Sequence, residues 1–165
     1  MDLLLEAMAD SRIKTMGLKL IVAGEFYEDK TYYENLISKY HLKNNIILKT
    51  EYISSHEVKH YFCAADMVVQ TYKSATQSGV TQIAYHYERP MLVTDVGGLA
   101  EIVSNGKVGY VTKCDSLNIA DALVDFYENK REQEFSSNTK TEKTKFQWVT
   151  MVEGIQKLFH SLKNK

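Results

Sequence analysis

Apolar residues recur along this chain in two alternating rhythms. Short solid runs at 18–23 (LKLIVA), 46–50 (IILKT), 67–72 (MVVQTY), 91–94 (MLVT) and 110–112 (YVT) read as buried strands. Between them, spacing near 3.6 residues predicts helices at 2–15, 31–40, 56–65 and 117–129. Strictly alternating strands and helices predict an α/β fold, a doubly wound parallel sheet with helices on both faces. Residues 132–145 are polar and read as a loop. Met151, Ile155, Leu158, Phe159 and Leu162 then mark a final amphipathic helix within 146–165, expected to pack on the same domain, formed by residues 1–131.

The stretch from 72 to 103 carries the most information. Ser74 to Gln77 spells S-x-x-Q, a capping box that predicts a helix start just beyond the strand at 67–72. Val80, Ile83, Ala84 and Tyr87 at i, i+3, i+4 and i+7 form its inward face, and Thr81, Gln82 and His86 point elsewhere. Arg89 and Pro90 end it. After 91–94, the residues Asp95, Val96, Gly97 and Gly98 make a tight loop before a further helix near Leu99. Two successive strand, loop and helix-start units set unpaired backbone N–H groups on one carboxyl edge of a parallel sheet, which suits an anionic ligand such as a diphosphate. Such turns also serve simply as connections.

Composition narrows the function classes. A chain of 165 residues suits one domain with one core. With 20 Lys plus Arg against 21 Asp plus Glu, no basic field exists to hold nucleic acid or anionic lipid nonspecifically. Cys63 and Cys114 form no C-x-x-C and read as buried, reduced thiols of a reducing compartment. Leu3 to Leu5 is too short for a signal-peptide core, and no apolar run approaches transmembrane length. These features predict a cytoplasmic protein.

Taken in order, LLLEAM, LKLIVAGE, the run from NNIILKTEYISS to MVVQTY, ERPMLVTDVGGLAEIV, GKVGYVT and the late FQW resemble the donor-binding, C-terminal half of a retaining glycosyltransferase of family four (group one, GT-B fold). The likeness runs nearly end to end, and residues 90–101 are its most diagnostic piece. It implies a Rossmann-like domain that binds a nucleoside diphosphate sugar and takes part in transferring a hexosyl unit, with retention, in glycan or polysaccharide biosynthesis. It implies no cofactor and no obligatory metal, and a cytoplasmic site of action, at the membrane face in a full-length enzyme.

The resemblance also exposes departures. In the family, the donor domain opens with a strand and a loop carrying an Arg and a Lys, and an acceptor-binding domain precedes it. Here Met1 stands directly before the helix matched by LLLEAM, so the chain resembles a truncated form expected to be inactive alone. The absent strand would lie between those at 18–23 and 67–72. Either these two close up against each other, or the unpaired edges recruit a neighbour, a second copy included. The family's two glutamates fall on Ala75 and Ile83, whose side chains accept no hydrogen bond. Gln82, one residue away, could bind ribose hydroxyls as a neutral amide. Ser74, Thr76, Gln77, Ser78 and Gly79 are the candidates for contact with diphosphate or sugar, together with Gly97, Gly98 and Glu101 of the Gly-Gly turn. Gly24 and Glu25 form a second candidate diphosphate loop, and Tyr52 and Ile53 match the base-pocket region. An acid in a first helical turn also stabilises the helix dipole without any ligand, and aromatics such as Tyr52 often serve packing alone.

His56, Glu57 and His60 spell H-E-x-x-H, the zinc metalloprotease signature. The inward face expected for that helix, Val58, Tyr61, Phe62 and Ala65, turns both histidines to solvent, and no third ligand follows. No G-x-G-x-x-G follows a strand, which disfavours a dinucleotide oxidoreductase. The rival reading is a non-catalytic nucleotide-binding or structural remnant of the same enzyme class.

Overall fold

The computed structural model describes residues 1–26 and 29–163. In chain order these form α1 (Asp2–Met8), α2 (Ser11–Met16), β1 (Leu20–Ala23), α3 (Lys30–Lys39), β2 (Ile46–Lys49), α4 (Ser55–Ala64), β3 (Val68–Gln70), α5 (Gly79–His86), β4 (Met91–Thr94), α6 (Leu99–Ile102), β5 (Gly109–Thr112), α7 (Ser116–Glu128), α8 (Glu132–Glu142), a 3-10 turn (Lys143–Phe146) and α9 (Trp148–Lys163). All strand pairs are parallel, and helices flank the sheets, as the alternating rhythms predict.

The strands form two separate sheets, β1-β2 and β3-β4-β5. β1 and β3 do not close up against each other. They flank an open slot of about 540 Å³. β4 is buried throughout, and its alternation divides the core. Leu92 joins one cluster with Val69, Tyr110 and residues of α1, α3 and α7. Met91 and Val93 join the other, with Val68, Val111 and residues of α5 and α6. The β1-β2 sheet is half covered: Leu20, Ile46 and Leu48 pack on the first cluster, whereas Ile21 and Ile47 on its other face are exposed.

Several sequence expectations require correction. The helix expected over 2–15 is two helices, because the Asp10 side chain accepts from the Arg12 amide and starts α2 afresh. Residues 132–145 are not a loop but α8 and a 3-10 turn, docked through Phe135, Thr139 and Glu142. The final helix does not pack on the domain as expected. No residue of α9 is buried, and Trp148, Ile155, Leu158, Phe159 and Leu162 are all exposed. Cys63 and Cys114 are exposed rather than buried. No helix among the described residues is long and apolar enough to cross a membrane.

Candidate functional site

The carboxyl ends of β3, β4 and β5 are tied together by polar links that the strand pattern does not predict. Thr94 Oγ1 donates to the Tyr72 carbonyl at 2.5 Å, the Asp95 amide donates to the Thr112 carbonyl at 2.8 Å, and the Cys114 thiol reaches the same Tyr72 carbonyl at 3.6 Å. Thr94 is fully buried, so its hydroxyl needs this partner. These links fix the loops that leave β3 and β4.

The two loops then meet. The Gly98 amide donates to the Thr76 carbonyl at 2.9 Å. A Cβ on Gly97, whose φ of +52° is left-handed, would stand 1.7 Å from the Ala75 carbonyl oxygen, and one on Gly98 would stand 2.9 Å from that of Thr76. Glycine at both positions therefore lets one backbone lie on the other.

The helix after β3 begins four residues later than the S-x-x-Q pattern suggests. Ser78, not Ser74, is the N-cap of α5: its hydroxyl accepts from the Val80 amide at 3.2 Å, and its carbonyl accepts from the Thr81 amide and hydroxyl. The inward face is rotated accordingly. Thr81, Ala84 and Tyr85 are buried, while Val80, Ile83 and Tyr87 are half-buried; Gln82 and His86 are exposed. The Tyr85 hydroxyl donates to the Ile102 carbonyl at 2.7 Å, fixing α5 to α6, and burial pushes its pKa up to about 12.

Not all of the expected free amides are free. Those of Val80, Thr81, Gly98 and Leu99 are spent on local acceptors. Among the described residues, no intramolecular acceptor meets the amides of Thr76, Gln77, Ser78, Gly79 or Gly97. The side chains of Ser74, Thr76 and Gln77 are exposed beside them. The structure thus gathers residues 75–78 and 97–98 into one surface of backbone amides, hydroxyls and an amide side chain, a composition suited to phosphate oxygens.

The remaining candidates lie apart from that contact. Gln82 borders a recess of about 280 Å³ with Tyr85, His86, Lys143, Phe146 and Gln147. Glu101 is exposed in the first turn of α6. Gly24 follows β1 directly, its amide bonded to the Lys49 carbonyl at 2.9 Å and its φ at +122°, with exposed Glu25 after it. Tyr52 is exposed and Ile53 half-buried in the loop between β2 and α4. Sequence reading missed Lys73, a cation within the β3 loop. Its ammonium is held at 2.5 Å by Asp2, the first residue of α1, and this ion pair raises its pKa. Nothing near it in sequence signals that partner, 71 residues away.

The H-E-x-x-H residues serve α4 itself. Glu57 accepts from the Ser54 hydroxyl at 2.6 Å and the Ser54 amide at 3.1 Å, a capping box that lowers the Glu57 pKa. His56 and His60 face solvent, and the inward face of α4 is only half-buried. Among the described residues, no cluster of metal-ligating side chains occurs.

Comparison with known proteins adds the family. Residues 1–143 match the family described as glycosyl transferases group 1. The uncharacterized glycosyltransferase MJ1178 of Methanocaldococcus jannaschii is 26% identical over 163 residues, which cover 98% of this chain and 44% of that protein. Among solved structures, the C-terminal domain of the glycosyl transferase group 1 family protein LpcC from Francisella tularensis superposes with a TM-score of 0.78 at 21% identity. It covers 89% of this chain and 79% of that one. Anabaena Alr3699/HepE in complex with UDP gives a TM-score of 0.77 at 20% identity, covering 96% of this chain and 44% of that one. The chain thus spans under half the length of MJ1178 and of Alr3699/HepE. With the family matched across most of its length and a fold shared with C-terminal GT-B domains, this chain belongs to the group 1 glycosyl transferases.

Proposed function

We propose that the paired loops at 74–79 and 97–98 bind the diphosphate of a nucleoside diphosphate sugar, as the donor half of a retaining hexosyltransferase of glycan or polysaccharide biosynthesis. The observation that carries this reading is the glycine-dependent contact of the two loops at the carboxyl edge of the sheet, with unengaged amides at 76–79 and 97. In glycosyl transfer, negative charge grows on the leaving diphosphate. Preorganised amides and the Thr76 hydroxyl would stabilise that charge without prior reorganisation. The UDP complex of Alr3699/HepE supports a nucleotide-sugar donor.

Two features set this chain's share of the chemistry. Ala75 and Ile83 offer no carboxylate to sugar or ribose. Lys73, the cation of the β3 loop, is already paired with Asp2. Donor affinity would therefore rest on backbone amides rather than on ion pairing. An acceptor-binding domain would complete the active site, so the chain by itself binds donor without turning over, in a cytoplasmic setting. Titration of the 165-residue protein with UDP, GDP, ADP and UMP by calorimetry tests this. Saturable binding of one nucleoside diphosphate, at least about tenfold tighter than the monophosphate, supports a donor site. Equal or absent binding of all four favours the non-catalytic remnant.

A further inference from the structure

The recess between α5 and the 3-10 turn is walled by amide side chains over a pair of aromatic rings. Gln82 and His86 stand one turn apart on the same face of α5. On the other wall, the Gln147 backbone amide donates to the Thr144 carbonyl at 3.3 Å, which fixes the residue that closes the 3-10 turn, and its side chain lines the same recess. The rings of Tyr85 and Phe146 complete the lining, with 4.8 Å between their centroids. Among the described residues, no intramolecular partner meets the side-chain amides of Gln82 or Gln147, so both are open to a ligand.

The turn that ends α5 adds a second observation. The Arg89 amide donates to the Ala84 carbonyl at 2.9 Å and the Glu88 amide to the Tyr85 carbonyl at 3.1 Å, the pair of bonds at a helix end whose left-handed residue is usually glycine. Here Glu88 takes that conformation, with a φ of +57°. A side chain there is strained, and what glutamate supplies over glycine is a carboxylate 2.5 Å from the Lys143 ammonium. Lys143 is thereby neutralised and held at the wall of the recess.

These walls specify the occupant. At about 280 Å³ the recess takes one small ring rather than an extended chain. Among its lining residues Lys143 alone carries a permanent charge, and Glu88 cancels it, so nothing selects an anion. The ring planes of Tyr85 and Phe146 are tilted by 43°, which offers no parallel slot to a flat heterocycle. A puckered ring with C–H groups on one face and hydroxyls at its rim meets both demands. Its C–H face can lie on Phe146, whose ring is exposed, and its hydroxyls can reach amides that donate and accept at once.

We propose that this recess binds a neutral monosaccharide unit of a glycan, through Phe146, Gln82 and Gln147, at a site apart from the donor loops. His86 lies about 12 Å along α5 from Ser78, at the opposite end of the helix. The proposal is independent of donor binding.

The test is a chemical-shift titration of the isotope-labelled 165-residue protein with methyl glycosides of gluco, galacto, manno and N-acetylgluco configuration, with methyl glucuronide and uridine as contrasts. Saturable shifts are expected with at least one neutral glycoside, at the side-chain amides of Gln82 and Gln147 and the backbone of Tyr85 and Phe146. Phe146→Ala should weaken that binding by more than about tenfold. Gln147→Ala, at an exposed residue, should weaken it by at least about threefold with an unchanged far-ultraviolet circular dichroism spectrum. Glu88→Gly, which releases the Lys143 ammonium and relieves the strained turn, should reverse the preference for the neutral glycoside over methyl glucuronide. The proposal is overturned by no saturable shift with any neutral glycoside, by tighter binding of uridine or methyl glucuronide to the wild-type protein, or by shifts that gather at 76–79 and 97. Binding indifferent to both Phe146→Ala and Gln147→Ala, or a preference that Glu88→Gly leaves unchanged, also overturns it. Unchanged UDP affinity in Gln147→Ala separates this result from any failure of the donor site.

Discussion

Single residues decide whether the loops keep their contact. Gly97→Ala would drive a methyl group to 1.7 Å from the Ala75 carbonyl in a left-handed conformation, so the loops must separate. The expected outcome is loss of nucleotide binding with the fold retained, seen as an unchanged far-ultraviolet circular dichroism spectrum. Gly109→Ala meets the same 1.7 Å obstacle at Met91 O, but inside the β4-β5 pair, and should lower thermal stability instead. Glu142 is the second decisive residue. Buried on α8, it accepts from Lys107 at 2.6 Å and from Ser104 at 2.8 Å, and the Lys107 bond holds its pKa down to about 2. A folded pKa below the unfolded value contributes stability that is present above the unfolded value near 4.5 and lost as pH falls toward 2. Glu142→Gln should cost about 1.5–3 kcal/mol in urea unfolding at pH 7, and much less near pH 2, where the folded carboxylate is about half protonated and the unfolded one fully so.

At the scale of elements, legibility followed the ratio of apolar to polar contacts. Strands such as β4 were plain in sequence because MLVT is wholly buried. α8 was hidden because Phe135, Thr139 and Glu142 do keep a helical spacing, but two of the three are polar. The Thr139 hydroxyl donates back to the Phe135 carbonyl, and the burial of Glu142 depends on partners at Lys107 and Ser104, which no local pattern encodes. The start of α5 was misplaced because Ser74 and Ser78 are equally good caps locally, and the contact of Thr76 with Gly98 holds 74–77 out of the helix. The apolar stripe of α9 was legible, but its docking was not, since periodicity tells only that a face needs cover. Two predictions follow from burial. Phe135→Ala, which removes ring contacts with Tyr110 and Phe126, should cost about 3–5 kcal/mol in chemical denaturation. Leu158→Glu on exposed α9 should change it by less than about 0.5 kcal/mol.

The molecule as a whole is an α/β domain whose sheet is divided. On one side of the slot, β3, β4 and β5 are packed on both faces and end in the candidate donor loops; on the other, β1 and β2 expose Ile21 and Ile47. This division separates two properties, a phosphate-directed surface at strand ends and an apolar opening along strand edges. The family match accounts for the fold, whereas the site rests on the loop contact itself. The most direct test of donor binding through that contact is an amide chemical-shift titration of the 165-residue protein with UDP. Saturable shifts concentrated at Thr76, Gln77, Ser78, Gly79 and Gly97 are predicted, and Gly97→Ala should abolish them. Shifts that gather along β1 and β3 instead, or no saturable shift with any nucleoside diphosphate, would contradict the account.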